Sequence, residues 1–237
     1  MLGALLFSLS IFIFIIIAAY FLIKSRVKEC LKTYESKISK CRNIKNKPLM
    51  VIGPSGSGKD TLMNKLITKY PKKFTKCISY TTRLPRENEK EAINYHFISK
   101  QKFNELDQKG EIIGKFEKYD NMYGTSKKEI IQTLSTDRIV YFDYNIETAI
   151  KTFKEGKLEF NYIAILPPNI EILAKRLRDR ATEDENSFKK RMDYAKNEIE
   201  LIKNSEFINY IVINDVLEKS SIEFESNVKQ LYPNFFI

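Results

Sequence analysis

Leu49-Met50-Val51-Ile52-Gly53-Pro54-Ser55-Gly56-Ser57-Gly58-Lys59-Asp60-Thr61 sets the architecture of this chain. Four apolar residues of β type are too few for a helix and stop at a glycine. Three of the chain's eight glycines then fall within six residues, and Lys59 follows. Beyond it, apolar residues at 62, 63, 66 and 67 keep a helical spacing through Tyr70. Strand, loop and helix in this order fit the phosphate-loop pattern G-x-x-x-x-G-K-[ST]. Glycines let consecutive backbone N–H groups converge on one anion, and the helix adds its positive end. Gly53, Pro54, Ser55, Gly56, Ser57, Gly58, Lys59, Asp60 and Thr61 are the candidate triphosphate-binding residues, Lys59 reaching the β- and γ-phosphates as a point charge. One slot departs: where a Ser or Thr would ligate Mg²⁺ stands Asp60. A carboxylate can hold Mg²⁺ but also repels phosphate, and the Thr61 hydroxyl points elsewhere on the helix.

Working outward, β-type runs alternate with helical ones. Arg138–Phe142, Tyr162–Leu166 and Tyr210–Ile213 read as strands; Ile170–Arg180, Ser187–Asn204 and Val216–Leu231 read as helices. Another helix-compatible stretch begins at Ile146, and Ser126-Lys127-Lys128-Glu129 has the form of a capping box. Such alternation predicts a parallel sheet with helices on both faces, in one domain over residues 48–237.

Residues 1–23 carry no charged side chain. Twenty-two helical residues, 2–23, span about 33 Å, enough for a hydrocarbon core of about 30 Å. With no basic leader and no small-x-small cleavage site, the run reads as a retained membrane anchor. Residues 24–47 form a stalk with nine basic and two acidic residues. By the positive-inside rule it predicts a single-pass membrane protein whose main domain faces the cytoplasm. The stalk is either solvated or in contact with anionic lipid. Its net +7, out of +10 for the chain, leaves +3 for residues 48–237, too little to suggest nucleic-acid binding. Three cysteines exclude a paired disulfide framework and are read as inert. The single histidine, His96, excludes a multi-histidine metal site and is read as a strand residue on the face opposite Tyr95.

Downstream of Cys77 lies Ser79-Tyr80-Thr81-Thr82-Arg83-Leu84-Pro85-Arg86, then Glu89, Ala92, Tyr95 and Phe97. Arg83, Arg86 and Tyr95 could clamp a dianionic phosphate; taken alone, they could equally form a solvated basic loop. The stretch resembles the guanylate kinase signature T-[ST]-R-x2-[KR]-x2-[DE]-x2-[GA]-x2-Y-x-[FY], with Thr81, Thr82, Arg83, Arg86, Glu89, Ala92, Tyr95 and Phe97 filling every specified position. The likeness covers about Leu49 to Leu231.

That resemblance implies a P-loop kinase fold: a five-stranded parallel core sheet with small GMP-binding and lid regions. The implied activity is GMP + ATP to GDP + ADP, with Mg²⁺ as cofactor. Ser79, Arg83, Arg86, Tyr95, Tyr123, Thr125 and Asn145 would meet GMP, and Asn214 would lie near adenine. Lys59, Asp143, Arg176, Arg180 and Arg191 would serve catalysis, the three arginines on the lid and its flanks. Two positions depart from the family at the base. The guanine-reading glutamate, nine residues before Tyr123, falls on Gly114, and the second reading carboxylate falls on Asn145, whose oxygen can still accept one bond. A local bulge could redirect Glu117 towards the base. Weaker guanine preference is the expectation, with Gly114→Glu improving GMP use. The alternatives are a kinase with another acceptor, such as a ribose bisphosphate, and an inactive membrane scaffold. Retention of Lys59 and the loop glycines counts against the scaffold.

Overall fold

The computed structural model describes residues 24–25, 46–87, 89–156, 158–179 and 185–236. The expected membrane span, most of the stalk, Cys30, Cys41 and Arg180 lie outside the described residues. Among the described residues, no helix is long and apolar enough to cross a membrane.

β1 (Leu49–Ile52) runs through the glycine loop into α1 (Lys59–Lys69). Then come β2 (Phe74–Lys76), β3 (Tyr80–Thr81), β4 (His96–Phe97), α2 (Lys100–Gln108), β5 (Ile112–Lys118), β6 (Asn121–Ser126) and α3 (Lys127–Leu134). The chain continues with β7 (Ile139–Asp143), α4 (Ile146–Glu155), β8 (Asn161–Leu166), α5 (Ile170–Arg178), α6 (Glu185–Lys203), β9 (Tyr210–Ile213) and α7 (Leu217–Leu231).

Five strands form the expected parallel sheet in the order β2-β7-β1-β8-β9. Its strands alternate between two apolar faces, as a sheet covered on both sides requires. Leu49, Val51, Ile139, Tyr141, Ile163 and Ile165 pack with Leu62 and Leu66 of α1 and Phe224 and Val228 of α7. Met50, Ile52, Val140, Phe142, Ala164 and Leu166 pack with Ile146 and Ala149 of α4 and Ile202 of α6. Each such side chain contributes about 1.5–3 kcal/mol on full burial, so the loop springs from a strand buried on both faces. β2 went unread in the sequence. Three residues with one buried apolar side chain, Phe74, show no period.

A second sheet, β4-β3-β6-β5, was also not foreseen, apart from His96. β3 and β4 have two residues each, and β5 and β6 mix aromatic and polar residues, Phe116, Lys118, Asn121 and Tyr123, where they line the site. The β5–β6 hairpin turns on Tyr119 and Asp120, both with positive φ (52° and 59°), as a two-residue turn of this hand demands. The pairing slips between Ile113 and Phe116, where Gly114 has φ +64°, the mark of a β-bulge. Ser126 caps α3 by accepting from Glu129 N at 3.1 Å. The Glu129 carboxylate does not complete a capping box; it accepts from Ile78 N at 3.4 Å.

Candidate active site

The phosphate loop is held by backbone geometry. A Cβ at Gly53 would come within 2.2 Å of the Ile165 carbonyl oxygen, and one at Gly58 within 2.1 Å of Asn214 Nδ2. Both glycines have positive φ, so no other residue fits. Asn214, expected near adenine, is buried beneath the loop. Its amide donates to Ser57 O at 2.8 Å, and its own carbonyl accepts from Arg176 Nη2 at 2.8 Å. Arg176 thus braces the loop from α5; its other terminal nitrogen, Nη1, is buried without a hydrogen-bond partner among the described residues.

Lys59 Nζ lies 2.8 Å from the Gly53 carbonyl oxygen and 3.7 Å from Asp143 Oδ1. Burial pushes the Asp143 carboxyl above its ordinary range; Lys59 pulls it down and Asp60 raises it again. Asp60 and Thr61, both exposed, line the same pocket. Carboxylates at Asp60 and Asp143 beside a phosphate loop are oxygen donors of the kind a hard divalent cation takes.

Across the pocket stand the signature residues. Arg83 donates to Glu89 Oε1 at 2.9 Å, and the Arg86 backbone N–H donates to Glu89 Oε2 at 2.9 Å. Burial of Glu89 is outweighed by these bonds, so its carboxyl sits below the ordinary range. Glu89 therefore stays ionised and holds both arginines facing the pocket. Tyr95 is held well above its usual value by burial and by the charges of Asp143 and Asp60, which keeps its hydroxyl a donor. Tyr123 packs edge-on to Tyr95 and stacks on Phe116, rings 4.9 Å apart and 8° from parallel. His96 is a β4 residue, its ring 4.7 Å from Tyr80 and tilted 33° to it, with Nδ1 3.0 Å from Glu91 Oε1. Cys77 is buried, and that burial raises its thiol pKa and quenches its reactivity.

The base end is built from neutral groups. Ser79 Oγ lies 2.7 Å from Thr125 Oγ1, which lies 2.6 Å from the Tyr144 hydroxyl. Asn145 Oδ1 caps α4 by accepting from Thr148 N at 3.0 Å. Its acceptor is thus directed at the helix rather than held for a base. Glu117 is exposed and does not line the pocket; Phe116 and Lys118 do. The bulge is present, but it does not turn Glu117 inward. Gly114→Glu is likewise disfavoured, because the positive φ there costs a side chain about 1–2 kcal/mol.

The structure adds residues that the motifs did not mark. Lys118 at the tip of β5 donates to Glu198 Oε2 of α6 at 2.8 Å, with Glu198 buried and Lys118 partly so. Arg191, foreseen as a lid-flank residue, lies over the Tyr119 ring at 4.8 Å and lines the pocket. Phe116, Tyr144 and Glu198 complete the wall. Lys118 and Glu198 are 80 residues apart, and only folding reveals their pairing.

A family model described as guanylate kinase matches residues 45–231. The chain is 34% identical over 188 residues to the guanylate kinase of Schizosaccharomyces pombe, covering 79% of this chain and 93% of that one. It is 38% identical over 177 residues to the guanylate kinase of Clostridioides difficile, covering 75% and 84%. The crystal structure of guanylate kinase from Anaplasma phagocytophilum superimposes with a TM-score of 0.58 at 25% identity, covering 78% of this chain and 85% of that one. These findings correct the expected single-pass membrane localisation. The likeness begins at residue 45 and is to guanylate kinases, and no helix among the described residues is long and apolar enough to cross a membrane. Signature, phosphate loop, sheet order and relatives agree: the chain belongs to the guanylate kinase family.

Proposed function

We propose that this enzyme transfers the γ-phosphoryl group of ATP to the phosphate of a nucleoside monophosphate, GMP foremost, giving ADP and GDP. One observation carries the reading. The phosphate loop with Lys59 and the Arg83–Arg86–Tyr95 clamp open onto one pocket, so donor and acceptor phosphates would meet over Lys59 and Asp143. An oxygen of the acceptor phosphate attacks the γ-phosphorus as the bond to the β-bridging oxygen breaks. The acceptor is already an anion, so no strong general base is needed. Catalysis then rests on positioning and charge neutralisation.

The residues divide that work. The loop N–H groups and Lys59 bind the ATP phosphates. Arg83, Arg86 and Tyr95 orient the acceptor phosphate, with Glu89 holding the arginines in place. Arg191 supplies positive charge from α6, while Asn214 and Arg176 keep the loop in shape. Asp60 and Asp143 are the residues that would hold Mg²⁺, which when bound neutralises phosphate charge. The Phe116–Tyr123 stack gives the acceptor side an aromatic wall, which suits a nucleobase better than a sugar bisphosphate.

A coupled assay of ADP release with GMP, dGMP, AMP, UMP and CMP tests the proposal. The expected result is turnover with GMP leading, with less discrimination than a carboxylate-lined base site would give. ATP binding without turnover on any of the five would overturn it.

A further inference from the structure

We infer that Tyr119 is a positioning residue for the proposed phosphoryl transfer: its ring, at the tip of the acceptor hairpin, seats the Arg191 guanidinium of α6 at the pocket. This rests on the reading of the site as a nucleoside monophosphate kinase.

Two consecutive residues of positive φ join β5 to β6, and the positions that favour Asn and Gly hold Tyr119 and Asp120. A bulky side chain at φ 52° is costly. Such backbone persists where the surrounding contacts over-determine it. Here the Asn121 side-chain amide donates to the Tyr119 carbonyl oxygen at 2.7 Å. The Tyr119 ring meets α6, its centre 4.8 Å from Arg191 Cζ and 5.8 Å, edge-on, from the Tyr194 ring. Lys118, beside it, donates to Glu198 at 2.8 Å and lies 4.8 Å from the centre of the Tyr194 ring. Arg191, Tyr194 and Glu198 are spaced i, i+3 and i+7, one face of a helix. Two neighbouring hairpin residues thus grip one stripe of α6.

An arginine side chain has many rotamers, and few of them meet a given phosphate. The face of an aromatic ring attracts a guanidinium and removes much of that freedom before a ligand arrives. Tyr119 and Arg191 line the same pocket as Lys59, Arg83 and Arg86, so the seat keeps the Arg191 charge among the phosphate-binding groups. The seat belongs to the sheet that also carries Tyr123, which ties the placement of Arg191 to the acceptor side. Glycine would make the turn without strain but would offer no ring.

The test is steady-state turnover of ATP and GMP by the full chain. Tyr119→Leu keeps bulk and removes the ring face; kcat should fall by about 5- to 30-fold with the KM for GMP nearly unchanged. Tyr119→Phe, which keeps the ring, should restore kcat to within about 2-fold. In an Arg191→Ala background, adding Tyr119→Leu should lower kcat by less than about 2-fold more, because a residue that acts through Arg191 has nothing left to position. A merely structural tyrosine would give losses that multiply. Tyr119→Gly, which suits the positive φ, should show the same loss of kcat and decides the matter if Tyr119→Leu fails to fold. Losses that multiply, an effect confined to KM, or a kcat within about 2-fold of the unaltered enzyme in the ring-free variants overturns this inference and leaves the kinase reading intact. No turnover by the unaltered enzyme with any nucleotide overturns both.

Discussion

At the phosphate end of the pocket, the groups that would meet a ligand are backbone N–H groups and fixed charges, Lys59 and Asp143, set 3.7 Å apart. At the proposed base end Tyr144 and Asn145 line the pocket; Tyr144 is bonded through Thr125 to Ser79, Asn145 caps a helix, and all four are buried. The first end tolerates almost no change, because its glycines face carbonyl and amide atoms at distances no Cβ could share. The second is a set of small neutral groups whose hydrogen-bond directions can reverse. On the proposed function, the phosphate end would read its ligand by charge and the base end by neutral hydrogen-bonding groups.

The largest effect should come from Lys59→Met. Loss of the charge nearest the transferring group should lower kcat by about 10²–10³-fold with the thermal midpoint nearly unchanged. A loss under about 10-fold would remove Lys59 from the centre of the phosphate end.

Next comes the bridge between the acceptor hairpin and α6. Lys118→Met leaves the Glu198 carboxylate buried without its cation and should destabilise the fold by about 3–5 kcal/mol in urea titrations. Lys118→Met combined with Glu198→Leu should recover much of that loss. The single variant should also depend on pH in a known direction. Burial already holds the Glu198 carboxyl above its ordinary range, against the pull of Lys118. A raised acid pKa means that the folded state binds the proton more tightly than the unfolded chain. Stability is therefore highest below the usual carboxylate range and declines as pH rises through the raised value. Removing Lys118 should steepen that decline; a flat profile would mean the pair is solvated.

Asn145→Asp tests the base end with a smaller effect. Asp and Asn cap helices equally well, so α4 and the melting temperature should be preserved. A carboxylate now faces the pocket, and the GMP:AMP ratio should rise by about 5- to 10-fold. An unchanged ratio would place the Asn145 amide out of reach of the base.

The smallest effect belongs to a residue in neither region. Burial of Glu225 is outweighed by hydrogen bonds from Lys229, Lys69 and Tyr70, which hold its carboxyl down at about 2. A depressed acid contributes stability above its ordinary value that is lost as pH falls towards 2. Glu225→Gln should slightly lower the thermal midpoint at neutral pH and flatten its acid limb, with kcat/KM for GMP and AMP both unmoved. A shift in either would show that the α1–α7 contact reaches the site.

Much of the main sheet was legible because its strands are short apolar runs, those of β1 and β8 buried on both faces and closed by Gly53 and Pro167. The second sheet was not, because one of its faces lines a polar pocket and its strands show no clean alternation. At the site, the Arg83–Arg86–Tyr95 clamp was legible only through the resemblance of its stretch to the family signature. Gly114 could be read only as a carboxylate missing from its place. Nothing near it in sequence pointed to the Tyr144 ring that adjoins it, or to an Asn145 oxygen engaged in a helix cap.

The order of residues was enough to place the phosphate loop, the central strands and the acceptor clamp, since each depends on local backbone freedom or on side chains a few positions apart. Folding decided the rest. The hydroxyl chain from Ser79 to Tyr144, the Lys118–Glu198 pair and the seat of Asn214 beneath the loop join side chains 65, 80 and 157 residues apart. Such contacts follow from which strands pair and which helix covers them, and polar side chains carry no periodic signal that would announce the partner in advance.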